Sequence, residues 1–183
     1  MEDNSKKNLK VAVFDFDNTL CIENSHLAVL KEYYNSNIYE SIFLKLIGKI
    51  LPNVYMNILN KAVDRIPENF FKAYKFRYRD SALKLLNEKK QQGYICLIIT
   101  YAPLKIVEAI KSQIDVPVYK AQRNCKKQVL LDNYKFNKLF FCTDNLDDCD
   151  LLDIANEKVI YITSKTKAYF KNRYNDAIFL EED

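Results

Sequence analysis

The chain is 183 residues long, 49% hydrophobic and 28% charged. That excludes a disordered or low-complexity segment and leaves one globular domain, with room for an insertion, whose core needs no disulfide staples. Lys and Arg number 28 against 24 Asp and Glu, a formal charge of +4, which would help attract an anionic small molecule but is too weak to argue for nucleic acid. The five cysteines, Cys21, Cys96, Cys125, Cys142 and Cys149, are odd in number and contain no C-x-x-C, so reduced thiols in a cytoplasmic setting are expected. Residues 1–10 carry no apolar run, and no signal peptide is expected. The longest apolar stretch, Ile38 to Leu59, is interrupted by Glu40, Lys45, Gly48, Lys49 and Pro52, so no transmembrane segment is expected either.

In chain order, the first strand is expected over Val11–Phe16. Residues 17–93 separate it from the next strand, far more than a right-handed crossover needs. Something is inserted there. Residues 24–76 show helical spacing and no convincing strand, and Phe43, Ile47, Ile50, Val54 and Ile58 form one stripe expected to be the core of a small helical cap. A helix follows over residues 81–92, with Ala82, Leu85 and Leu86 on one face and Gly93 turning the chain into a strand over Tyr94–Thr100. Pro103 opens a helix over Leu104–Gln113. Further strands are expected over Val116–Tyr119, Leu139–Thr143 and Val159–Thr163. Near-continuous apolar runs suit strands covered on both faces. The alternation predicts an α/β fold: a doubly wound, mostly parallel, Rossmann-like sheet with any ligand beyond the strand carboxyl ends. The expected division is a core of residues 1–23 and 77–183 and a cap of residues 24–76.

The first strand runs out into Asp15-Phe-Asp17-Asn-Thr19-Leu. Two carboxylates two residues apart, on one side of an extended chain, repel unless a cation neutralises them. Thr143-Asp144-Asn-Leu-Asp147-Asp148 leaves the fourth strand in the same way, so both acidic clusters are expected at one rim. Mg²⁺ takes oxygen ligands and keeps waters for a phosphate to replace. Thr100 ends the second strand at the same rim with a hydroxyl for an anion, backed by the amide groups of the Pro103 helix. Lys126 or Lys127, at the start of another helix, could supply the positive charge of a phosphate pocket.

These residues resemble the motifs of the haloacid dehalogenase-like superfamily. Asp15-Phe-Asp-Asn-Thr-Leu looks like its first motif, Thr100 its second, Lys126 or Lys127 its third, and Thr-Asp144-Asn-x-x-Asp148 its fourth. The likeness runs from residue 10 to about 163, and the helical insert stands where the phosphoserine-phosphatase-like branch carries its cap. The resemblance implies a magnesium-dependent phosphatase acting on a small phosphorylated substrate. Asp15 would be the nucleophile, forming an aspartyl-phosphate, and Asp17 the acid and then the base. Mg²⁺ would be held by Asp15, the Asp17 carbonyl and Asp144, with Asp148 in or just behind that shell. Thr100 and a lysine would hold the phosphoryl oxygens. Leu130 or Leu131 stands four residues after either lysine, so spacing does not choose, and Lys127 is slightly favoured. Thr143 replaces the glycine or serine common before the fourth-motif aspartate. Glu23 lies near the place where phosphoserine phosphatases read the substrate amine but is not clearly in register, so serine specificity is not carried over.

Other readings are weaker. Asp144, Asp147, Asp148 and Asp150 would also suit the N-terminus of a following helix. His26, the sole histidine, has no serine or cysteine motif around it and reads as helix surface or cap lining. The chain has no G-x-x-x-x-G-K-[ST] loop, no cysteine followed at the sixth position by arginine and no zinc spacing. The basic-aromatic stretches from Phe71 to Arg79 and from Lys165 to Tyr174 read as amphipathic faces rather than RNA or anionic-surface contacts. The alternatives to a metabolite phosphatase are a silent phosphate-binding or regulatory protein, or a phosphatase of lipid phosphates or nucleic-acid ends.

Overall fold

Six short runs rich in β-branched and aromatic residues pair into one parallel sheet in the computed structural model, which describes residues 9–181. The signal-peptide expectation rests on residues 1–10, of which residues 1–8 lie outside the described residues. The strands are β1 (Lys10–Phe14), β2 (Ile95–Thr100), β3 (Val118–Lys120), β4 (Lys138–Thr143), β5 (Glu157–Ile162) and β6 (Ile178–Glu181), in the order β3-β2-β1-β4-β5-β6. Phe14 lies opposite Ile98 of β2 and Cys142 of β4. The chain therefore leaves β1 between the ends of two parallel neighbours, at the point where the winding reverses, which is where such sheets open a crevice.

Side-chain alternation feeds two cores. Ala12, Phe14, Cys96, Ile98, Phe140 and Cys142 face one way, against α5 (Asp80–Gln91), α6 (Leu104–Lys111) and the inserted helices. Val11, Val13, Leu97, Ile99, Leu139 and Phe141 face the other way, against α7 (Lys126–Asn133), α8 (Cys149–Leu152) and α9 (Lys167–Arg173). Each fully buried large side chain among these is worth about 1.5–3 kcal/mol of transfer free energy.

The insert holds α1 (Ser25–Tyr34), α2 (Ile42–Ile50), α3 (Pro52–Asp64) and α4 (Glu68–Ala73). Asn24 caps α1 by accepting from the Leu27 amide, and Ser41 caps α2 by accepting from the Leu44 amide. These caps satisfy amides that have no partner within their own helix. Pro52 opens α3, where its missing N–H costs nothing. The chain enters and leaves the insert side by side: Cys21 bridges Tyr78 in antiparallel fashion, and the Ile22 amide donates to the Arg77 carbonyl at 3.0 Å.

Several expectations need correction. β6 escaped prediction, because a four-residue, half-exposed edge strand leaves little apolar signal. β1 ends two residues before the predicted Phe16, and β3 begins two residues after the predicted Val116. The stripe read as the cap core is not buried: Phe43 is 71%, Ile50 68% and Val54 46% exposed, while Ile47 and Ile58 are half-buried. The helices α2 and α3 meet instead through the opposite side of α2, where a Cβ on Gly48 would stand 3.1 Å from the Tyr55 ring. In the two basic-aromatic stretches Phe71, Tyr74, Phe76, Phe170 and Tyr174 are buried, as amphipathic faces require. Among the described residues no helix is long and apolar enough to cross a membrane.

Candidate active site

A cavity of about 300 Å³ opens at the carboxyl ends of β1 and β4 and is roofed by α2 and α3. Asp15, Asp17, Lys126, Asp144 and Asp148 line its floor, and Gly48, Pro52, Tyr55 and Met56 come from the insert. The two acidic clusters, more than a hundred residues apart in sequence, therefore meet as expected.

The first cluster sits on a wide turn. The Asp15 amide donates to the Cys142 carbonyl at 2.9 Å, continuing the ladder one step beyond β1, and the Cys21 amide closes the turn by donating to the Phe16 carbonyl at 2.8 Å. Within it Asn18 takes φ +54, a left-handed conformation that asparagine tolerates better than most residues. Asp15 is buried, and its Oδ1 accepts from the Phe16 amide at 2.7 Å and from Lys126 Nζ at 2.6 Å. Asp17 Oδ1 accepts from the Ser25 amide at 2.6 Å, which ties this carboxylate to the first turn of α1.

The second cluster is organised by Thr143. Its hydroxyl donates to Asp148 Oδ2 at 2.6 Å and accepts from the Asn145 amide at 3.0 Å. The threonine thus does what a serine hydroxyl could do there, and no glycine is needed. Asp144 Oδ1 accepts from the Thr19 hydroxyl at 3.1 Å, which joins the two clusters directly.

Lys126, the first residue of α7, is 5% exposed and lies between Asp15 and Asp148, with Nζ 2.8 Å from Asp148 Oδ2. Burial pulls its pKa down, but Asp148 and Asp15 outweigh that and hold it above the ordinary lysine value. It stays charged. Burial pushes the Asp15 carboxyl well up; Lys126 opposes this, and Asp148 and Asp144 add to it. The preference for Lys127 is corrected by this arrangement. Asn124, at φ +58, turns the chain into α7 so that its first residue dips to the strand ends, while Lys127 is half-buried beside Asp150 and outside the cavity. Among the described residues no group of three or more His, Cys, Asp or Glu side chains forms a metal cluster.

Thr100 ends β2 fully buried, and its hydroxyl accepts from the Ala102 amide at 3.2 Å; the neighbouring Tyr101, not Thr100 itself, lines the cavity. His26 is buried cap lining, and its Nε2 donates to Asn60 Oδ1 at 3.1 Å. Glu23 pairs with Arg77 at 2.8 Å outside the cavity, and Asn24 occupies the wall instead.

Two features escaped the sequence. Buried Arg79 donates to the Thr19 carbonyl at 3.2 Å and the Asn18 carbonyl at 3.1 Å, and its guanidinium lies 4.5 Å over the Tyr161 ring. It clamps the Asp15–Leu20 turn from below. Arg123 grips Asp147 through two hydrogen bonds of 2.6 and 3.1 Å at the cavity wall. Neither pairing belongs to a local spacing that could have been seen in advance.

No protein-family model matches the sequence, and no curated relative matches it. Solved structures do match. A phospho-aspartyl intermediate analogue of phosphoserine phosphatase superposes with a TM-score of 0.71 at 16% identity, over 97% of this chain and 95% of that one. A substrate-bound phosphoserine phosphatase complex gives 0.70 at 16% identity over the same shares. A phosphoserine phosphohydrolase-like protein from Francisella tularensis gives 0.60 at 14% identity, over 84% of this chain and 87% of that one. The chain shares the fold of these phosphoserine phosphatase structures.

Proposed function

We propose that the protein is a phosphatase that hydrolyses a small phosphorylated metabolite through an aspartyl-phosphate, with Mg²⁺ as cofactor. The observation that carries this reading is the buried contact between Asp15 and Lys126, placed in one cavity with Asp17 and Asp144. The likeness to phosphoserine phosphatase captured as a phospho-aspartyl analogue supports it.

Asp15 attacks phosphorus: a bond forms between its carboxylate oxygen and phosphorus as the bond to the leaving oxygen breaks. Asp17, held by the Ser25 amide, gives its proton to that leaving oxygen. As a carboxylate it then takes a proton from the water that attacks the phosphoryl group and frees Asp15. Lys126, kept charged by its two carboxylates, and the Thr100 hydroxyl hold the phosphoryl oxygens as negative charge shifts among them. Asp148 and Thr143 keep the lysine in place. The insert covers the cavity and excludes bulk water.

The donor set suits a hard divalent cation. Asp15 and Asp144 supply anionic oxygens and the Asp17 carbonyl a neutral one, and burial, with Asp148 and Asp144 adding to it, keeps the Asp15 carboxyl raised despite Lys126, so a further cation would favour its charged form. Asp148, already engaged by Lys126 and Thr143, stands behind that set. The bound ion would offset repulsion between the nucleophile and the incoming phosphate.

The test is a panel of phosphorylated metabolites with and without Mg²⁺, comparing the native protein with Asp15→Asn. Phosphate release that depends on the metal and falls by about 10³-fold or more in the variant is expected. Undiminished turnover by the variant would remove Asp15 as nucleophile, and no turnover of any substrate by the native protein would favour a silent phosphate binder.

A further inference from the structure

We propose that the outer face of α2, extended by Leu51 and Val54, docks on an anionic lipid surface. This goes beyond the phosphatase reading and does not depend on it. Ile42, Phe43, Leu46 and Ile50 are 88%, 71%, 53% and 68% exposed. At 100° per residue they share one arc of the helix, with Lys49 beside Ile42 on its edge. Leu51 and Val54 add two more exposed apolar side chains at the turn into α3. Six large apolar groups within thirteen residues form a contiguous unpartnered patch, which a soluble surface rarely presents without something to cover it.

The charge around the patch says what covers it. From Ser41 to Val63 the chain has three lysines and no Asp or Glu; the first acidic residues on either side are Glu40 and Asp64. A second copy of this chain laid on the same face would bring Lys49 against a segment that offers it no carboxylate. An anionic lipid surface accepts both features: apolar side chains enter the acyl boundary and lysines remain at the headgroups. No described helix can span a bilayer, so the hairpin would lie on the surface. Gly48, Pro52, Tyr55 and Met56, which line the cavity, belong to the same hairpin, and Gly48 faces away from the exposed arc. Docking therefore leaves the roof of the cavity in place.

The experiment is co-sedimentation of the full chain with vesicles of phosphatidylcholine alone and of phosphatidylcholine mixed with phosphatidylglycerol. Binding to the mixed vesicles that weakens as salt rises is expected, with little binding to the neutral ones. The double substitution Phe43→Ser with Ile50→Ser, and separately Lys49→Glu, should each weaken that binding by about tenfold or more. Because these side chains are exposed, melting temperature and cavity-dependent activity should not change. The chain has no tryptophan, so Phe43→Trp provides a single reporter whose emission should shift to the blue on mixed vesicles alone. Absence of binding to mixed vesicles, binding unaffected by the substitutions, or a dimer in light scattering that the same substitutions dissolve would each overturn the proposal.

Discussion

The Lys126 ammonium lies 2.6 Å from Asp15 Oδ1, and both side chains are almost wholly removed from solvent. A buried cation that also meets Asp148 cannot be removed without leaving two carboxylates facing each other. Lys126→Met should therefore lower activity by about 10²–10³-fold, because the phosphoryl group loses its cation. It should also cost about 3 kcal/mol of stability at neutral pH. The stability loss should shrink on acidification, as protonation relieves the repulsion. Lys127→Met should change either quantity little. Steady-state kinetics and thermal melts at two pH values check this; equal effects of the two substitutions would refute the assignment.

Arg79 reaches the turn that carries Asp15 and Asp17 from the far side of the insert. Its two hydrogen bonds fix the Asn18 and Thr19 carbonyls while Tyr161 supports the guanidinium. Arg79→Ala should free that turn, lowering kcat by about tenfold to a hundredfold with a smaller change in KM. The lost buried contacts should cost about 2 kcal/mol. Arg79→Lys keeps the charge without the planar fork and should recover only part of either loss. An unchanged kcat in both variants, measured where each remains folded, would show that the clamp does not position the site.

Much of this arrangement was legible because strand ends declare themselves. Asp15, Thr100 and Asp144 each follow an apolar run, and parallel pairing carries all three to one rim. The register of α7 was not legible: Lys126 and Lys127 differ only in helix phase, which Asn124 sets through a left-handed turn. Arg79 looked like part of a basic-aromatic stretch, since its partners are backbone carbonyls about sixty residues away. The stripe through Phe43 and Ile50 had the correct helical period but the wrong burial. Periodicity reports that a helix has an apolar face, whereas burial depends on what packs against it.

His26 joins α1 to α3 through Asn60 and sits within reach of the field of Asp17. Burial lowers its pKa below the ordinary 6.5, and Asp17 and Asn60 only partly oppose this. A histidine whose folded value is depressed contributes stability that is complete above the unfolded value and lost as pH falls through the folded one. The native protein should therefore lose melting temperature below pH 6.5 more steeply than His26→Gln, which cannot take up that proton. Parallel slopes for the two proteins between pH 7 and 5 would show that His26 is not buried in its neutral form.

Glu157 opens β5 at the amino ends of the strands, opposite the cavity, and gathers Lys89, Lys138 and Tyr94 around its carboxylate. Burial would raise its pKa, yet the hydrogen bonds from Lys138, Lys89 and Tyr94 prevail and bring it to about 2. The folded value lies below the unfolded one, so the stabilisation is present above about pH 4.5 and is lost as the pH falls toward 2. Because the carboxylate is partly exposed, screening reduces what the shift alone would suggest, and Glu157→Gln should cost about 1 kcal/mol at pH 7. Near pH 2 the native carboxyl is itself becoming protonated, and the two proteins should converge. Activity per folded molecule should be unchanged, since the cluster lies at the amino ends of the strands and the cavity at their carboxyl ends. Denaturant titrations of both proteins at neutral and acid pH test this, and a deficit of equal size at both would mean that the charge of Glu157 is not what holds this end of the sheet together.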